Sequence, residues 1–202
     1  KSGNATNPYN HLVTFENTNN DEGDILALWI DDDQVTNKNN FISFFAGNTN
    51  TNLAGAIEGN SGSSVSDVVR FVTRGADYAE FLEKLDYKET FEKGHVVGVY
   101  NGKITKNTKN ADQILVLSTN ASIVGNMPEK DKEKNYELAA FFGQVPVAVI
   151  GPVSKGDYLI PSNKNDGTAI AVKPDQLESI NHNHIIGRAW EESSNKSLKK
   201  IK

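Results

Sequence analysis

The chain has 202 residues, enough to bury one large core or two smaller ones, and its net charge of −5 argues against a general nucleic-acid binder. Cysteine is absent, which removes disulfides, thiolate nucleophiles and Cys-ligated zinc together. No stretch approaches the ~18 consecutive apolar residues of a membrane span, and no signal-like segment is present, so a chain that starts at Lys1 reads as a piece of something longer.

Asparagine crowds the first third, where NTNND, TNKNN and GNTNTN alternate with short apolar runs. Asn and Gly tolerate left-handed backbone angles, so this pattern predicts short strands on tight loops. HLVTFEN (11–17) and DILALWID (24–31) read as a hairpin around NTNNDEG, and FISFFAG (41–47) with LAGAIEGN (53–60) repeats the scheme. Strands this short bury little within one chain. Their apolar faces, with Ile42, Phe44, Leu53 and Ile57 as candidates, are expected to pack between copies in an intertwined oligomer. The expected organisation is a fibre-like β segment over 1–60, an SGSS linker at 61–64 and a second domain over 65–202.

In the second domain VSDVVRFVT is strand-like, whereas DYAEFLEKLD spaces Tyr78, Phe81, Leu82 and Leu85 as a helix would. HVVGVYNGKITKN holds Asn101-Gly102 between two strand runs, a strong hairpin signal. ILVLS, AAFFGQ, VPVAVIG, DYLIPS and TAIAV follow as short strands punctuated by Gly and Pro. PDQLESI (174–180) reads as a short helix, HIIGRAWEE as a closing strand, and KSLKKIK as a solvated end or the start of a further strand. Val97, Val99, Val147, Val149, Leu159 and Ile170 are the expected core. The fold class is therefore mainly β: short Asn/Gly-rich hairpins, then a β-barrel-like domain with small helices.

The chemistry turns on RGADYAEFLE (74–83), which places Asp77 and Glu80 three residues apart. Asp-x-x-Glu before an apolar helical run is a capping-box pattern, with Glu80 also paired to Lys84 four residues on. The alternative is an acid/base pair: one ionised carboxyl activates water and one protonated carboxyl supplies the leaving amine. A helical turn would put the two on one face, and a strand would send them to opposite faces. Both readings stand at this point.

Other candidates are weaker. Asp31, Asp32 and Asp33 with Asn37 and Asn39 suggest calcium but lack the glycine and glutamate of a calcium loop. His182 and His184 would share a strand face without a third ligand, so no metal and no cofactor are expected. GNSGSS lacks the setting of a nucleophile elbow, and Trp29, Phe41, Phe44 and Phe45 read as core before they read as sugar-stacking platforms.

Taken in order, GADYAEFLE, the strands around NGKI, ADQILVLSTN, GQVPVAVIGPVSKGDYLIPS and IIGRAWE resemble the C-terminal self-cleaving chaperone domain of phage neck appendages (tail spikes) and related fibre-terminal domains, over about residues 66–191. FFAGNTNTNLAGAIEGN is similar to fibre segments of phages and injection systems. The resemblance implies a homotrimer at the end of a fibre or spike, on a virion or another extracellular particle, with a shaft upstream. Such a domain guides trimer folding and registration, and self-cleaving members then cut just before the DYAE-like element. Carried over, Asp77 and Glu80 become the catalytic carboxylates and Ala76-Asp77 the scissile region. Cleaving members place a serine where this chain has Ala76, so a hydroxyl that could assist an acyl shift or bond the scissile carbonyl is missing. Three functions follow: a structural trimer-forming terminus, an autoproteolytic chaperone using the Asp/Glu pair, and a tip that binds a cell-surface glycan receptor.

Overall fold

The structure, a computed structural model, describes residues 25–30, 39–45, 53–59, 69–179 and 181–202. Backbone contacts divide the chain into two units, residues 1–72 and 73–202.

The first unit contains a three-stranded sheet in the order β1-β2-β3, from β1 (Asn40–Phe45), β2 (Leu53–Gly59) and β3 (Val69–Thr73), whose last residue passes into the second unit. β1 and β2 pair antiparallel with Ile42 opposite Ile57 and Phe44 opposite Gly55, as the repeated apolar runs predict. Ile42 and Ile57 are half-buried and Phe44 is exposed, 6.4 Å from the Phe71 ring. The expected hairpin over 11–17 and 24–31 is not found in its described part. Residues 25–30 form no strand, and Ile25, Leu26, Leu28 and Trp29 stand exposed; an apolar run becomes a strand only where a ladder partner satisfies its backbone. Residues 11–17 and 61–64 lie outside the described residues.

The second unit is built on a closed circuit. β4 (Asp77–Lys84), β5 (Val96–Tyr100), β6 (Lys103–Thr105), β7 (Gln113–Leu117) and β9 (Tyr136–Gly143) pair in the order β6-β5-β7-β9-β4, and β6 pairs back to β4. The result is a five-stranded barrel, with β8 (Ala121–Gly125) added as an edge strand parallel to β4. A second sheet follows in the order β13-β11-β12-β10-β14, from β10 (Val147–Val149), β11 (Tyr158–Pro161), β12 (Ala169–Val172), β13 (Gly187–Arg188) and β14 (Lys199–Ile201).

Strand alternation sorts the core into two layers. Val97 and Val99 of β5, Leu115 and Leu117 of β7, Ile104 and Ala139 form one buried cluster, joined by Leu82 and Phe91. Val96, Ile114 and Val116, the alternate residues of the same strands, pack instead with Val147, Val149, Val153, Leu159, Ala169, Ala189 and Ile201. β5 and β7 are covered on both faces, which is why VVGVY and QILVL are apolar almost throughout. The β5–β6 turn has Asn101 at φ 48° and Gly102 at φ 81°, the two positive angles of the tight hairpin turn that Asn-Gly favours.

Several local expectations change. DYAEFLEKLD is not a helix but strand β4 with its following turn. Alternation along β4 puts Tyr78 and Leu82 on one face and Phe81 on the other, and both partner strands bulge beside its start. Asp77 opposite Ala121 is followed by Tyr78 opposite Ile123, passing over Ser122; Tyr78 opposite Phe142 is followed by Ala79 opposite Ala140, passing over Phe141. Ile170 is only half-buried, since the register turns Ala169 into the core and sets Ile170 against Ile160. HIIGRAWEE contributes only the two-residue β13, preceded by a 3-10 turn at His182–His184 in which the Asn181 carboxamide oxygen accepts from the Asn183 N–H. PDQLES (Pro174–Ser179) is a short 3-10 helix, and the lysine-rich tail supplies β14.

Candidate active site

In strand β4 the three-residue spacing sends Asp77 and Glu80 to opposite faces. The capping box and the shared helical face are therefore both excluded, and so is the Glu80–Lys84 pair. Lys84 lies instead 2.8 Å from Glu137, with its ammonium over the Phe91 ring. Glu80 shares its face with Tyr78, whose hydroxyl donates to Glu80 Oε1 at 2.6 Å. That bond holds the phenol pKa above its usual range. Gly125, in register with Glu80, leaves room for the contact: a Cβ there would come within 3.1 Å of Glu80 Cγ.

On the other face Asp77 is only 2 % exposed. Its Oδ2 accepts from the Ser118 hydroxyl at 3.1 Å, and its Oδ1 is buried without a hydrogen-bond partner. Burial raises the Asp77 pKa above the ordinary carboxylate value, and the Ser118 bond opposes that rise in part. A buried carboxyl oxygen without a donor is costly as an anion, so the site favours the protonated acid.

The peptide linking Ala76 to Asp77 is clasped from three sides. The Ala76 N–H donates to the Asn120 carbonyl at 3.0 Å, and the Ala76 carbonyl accepts from the Gln144 N–H at 3.1 Å. The Ser122 hydroxyl donates to the Asp77 carbonyl at 3.0 Å, and the Asn120 side chain donates to the Arg74 carbonyl at 3.0 Å. Gly143 brings β9 against this junction at φ +123°, where a Cβ would lie 2.5 Å from the Ala76 carbonyl oxygen and 2.6 Å from Asp77 Cα. Only glycine permits both the backbone angle and the approach. A cavity of about 410 Å³ opens beside this point, with Phe142, Gly143, Gln144 and Trp190 among its walls.

The chain thus brings Asp77 together with Ser118, Asn120, Ser122 and the backbone of Gly143-Gln144, and sets Glu80 apart. None of these partners is marked in the sequence around residues 74–83, because they arrive from the link between β7 and β8, from β8 itself and from the end of β9. The one trace is the glycine closing AAFFGQ, a residue type that signals an unusual backbone angle.

Residues 16–145 match the sequence model of the peptidase G2 family, the IMC autoproteolytic cleavage domain. The chain belongs to that family. The match begins and ends earlier than the stretch over which the resemblance was traced, and it contains Ala76-Asp77 together with every group that clasps it. For a peptidase G2 chain, the sequence-based resemblance to an intramolecular chaperone domain is correct. No curated protein and no solved structure matches the chain.

Among the described residues no cluster of His, Cys, Asp or Glu could hold a metal. Asp31, Asp32, Asp33, Asn37 and, beyond Gly59, the rest of the GNSGSS stretch lie outside them. Trp29, Phe44 and Phe45 are exposed and Phe41 is half-buried, so these aromatics are not core within the chain.

Proposed function

We propose that this chain is a self-cleaving intramolecular chaperone that ends a trimeric fibre or spike, on a phage tail or a related extracellular injection device, and cuts itself between Ala76 and Asp77. Support comes from the family and, within the chain, from one observation: the Ala76 carbonyl is held by the Gln144 N–H beside a buried carboxyl with an unpartnered oxygen. A compact domain that associates first raises the local concentration of the shaft strands and sets their register, and cutting then leaves the shaft locked. Asp77 is the proposed reacting carboxyl. Glu80, on the opposite face, acts as a positioning residue through its Tyr78 hydrogen bond, which fixes the start of β4.

The test is the intact mass of the freshly refolded chain under denaturing conditions. Fragments 1–76 and 77–202, absent in a folded Asp77→Asn variant, are the expected result. Tyr78→Phe removes the donor of that hydrogen bond and Glu80→Ala its acceptor, and the two are expected to slow the cut similarly.

A second reading is favoured by Ala76, where cleaving members carry serine, and by the separation of Asp77 from Glu80. In it the domain stays attached as a permanent structural tip, and the exposed Trp29 and Phe45 are its first candidate contacts for a glycan. A single uncut mass over days selects that reading.

A further inference from the structure

Cutting a peptide bond needs an attacking oxygen for the carbonyl carbon and a proton for the leaving nitrogen. Activation of water by a pair of carboxyls would require two such groups around one bond, and here the pair is split across a strand. The group that remains is Asp77 itself. Its side-chain carboxyl follows the scissile bond, and an oxygen of that carboxyl reaching back to the Ala76 carbonyl carbon closes an unstrained six-membered ring.

We infer, on the self-cleavage reading above, that Asp77 is the nucleophile, with the Gln144 N–H as the donor that stabilises the developing charge on the Ala76 oxygen and Ser118 as the positioning residue for the attacking carboxyl. Three observations carry this. Asp77 Oδ1 is buried with no partner to satisfy it, so one oxygen is uncommitted. The Ser118 hydroxyl holds the other oxygen, Oδ2, at 3.1 Å and fixes the plane of the group. The Gln144 N–H already lies 3.1 Å from the Ala76 carbonyl oxygen, and Gly143 presses the same edge of the junction with no side chain in between. Such a donor acts where charge develops and needs no reorganisation as it does so.

The step balances with water as the sole co-reactant. Oδ1 of the neutral carboxyl bonds to the Ala76 carbonyl carbon, and the carboxyl proton passes to the Asp77 nitrogen. The C–N bond then breaks, leaving a mixed anhydride between the Ala76 acyl group and the Asp77 side chain, with a free amine on Asp77. Water next adds to the anhydride and gives two carboxylic acids, one ending residues 1–76 and the other restored on Asp77. The cavity lined by Gly143 and Gln144 lies next to the N–H that holds the Ala76 oxygen. Burial of Asp77 favours the protonated form that the first step consumes.

An anhydride is captured by hydroxylamine, whereas a peptide bond cut directly by water is not. The full chain is refolded in water and in hydroxylamine, and the 1–76 fragment is weighed. A hydroxamate on Ala76 is expected, together with a rate loss on the order of 10²-fold for Asp77→Glu, whose extra methylene enlarges the ring. Only free acid on Ala76, with Asp77→Glu cutting near the wild-type rate, would overturn the inference and leave self-cleavage standing by direct attack of water. An uncut wild-type chain removes the parent reading instead, and this inference with it.

Ser118→Ala tests the positioning residue by its pH profile. Because the neutral acid reacts, the rate falls as pH rises through the Asp77 pKa; losing the Ser118 bond moves that fall to higher pH. No charged group is among the influences on Asp77, which are burial and the Ser118 hydroxyl, so the shift has one source. An unmoved profile overturns the role given to Ser118.

Discussion

At Asp77 the folded chain sets burial against a single hydroxyl donor, and the balance favours the proton. The folded-state pKa therefore lies above the unfolded value of 3.8, and the folded chain binds more protons than the unfolded one between those limits. Stability from this group is fully present below the unfolded pKa and is lost as pH rises through the folded pKa. The uncut chain is accordingly expected to lose stability on going from acid toward neutral pH relative to Asp77→Asn, which keeps the shape without the charge. Paired urea melts across that range measure the difference, and parallel curves for the two proteins would show that Asp77 does not titrate between the folded and unfolded states. The neighbouring Gly143 makes a steric prediction. Gly143→Ala places a methyl group 2.5 Å from the Ala76 oxygen at a backbone angle that L residues avoid, so a loss of about 1–3 kcal/mol is expected. The junction must open to relieve the clash, and the cut should slow with it. Denaturant midpoints and fragment mass read the two effects separately.

Among the elements, β4 organises the second unit. Its first half lies between β8 and β9 and carries the junction, and its second half pairs with β6 and closes the barrel. Proper seating of Asp77 thus depends on barrel closure. Ile104 of β6 is fully buried beside that closure, and Ile104→Ala is expected to cost about 2–5 kcal/mol. Gly102→Ala at φ +81° meets no neighbouring atom and should cost only about 1 kcal/mol, as a pure backbone effect. Thermal melts of the two variants rank them. The Asn101-Gly102 hairpin was legible in the sequence because local turn chemistry alone decides it. β5 and β7 were legible because strands covered on both faces are apolar throughout. β4 reads as a helix because Tyr78, Phe81, Leu82 and Leu85 keep helical spacing, while the ladder partners β8, β9 and β6 that make it a strand are not visible from residues 74–85. ASIVG (β8) carries no strand signal of its own, because an edge strand with exposed Ile123 and Val124 leaves no alternating signature. Of the candidate site, Asp77 could be found from its own segment. Ser118 and Gln144 could not, because one is a lone serine and the other contributes only its backbone.

For the whole molecule the unsettled quantity is association. Within the second unit Ile123 and Val124 lie exposed on edge strand β8, which among the described residues pairs with β4 alone, and Met127 and Phe142 are exposed as well. Within the first, Phe44, Phe45 and Phe71 are exposed. An apolar edge without a guarding charge invites further pairing, and proteins that remain single usually blunt such edges with Lys or Pro. β8 has neither, its sequence being ASIVG. The proposed trimer would bury this surface, so in native mass measurements the protein should run at three times the 22.1 kDa of one chain. Its thermal midpoint should rise with protein concentration, because association stabilises the folded form by mass action. Ile123→Lys places a charge on the open edge at an exposed position, and is expected to shift the assembly toward single chains while each barrel still folds. A single-chain mass at every concentration, with a midpoint that does not move, would leave this edge exposed in solution and remove the basis for chain registration by this domain.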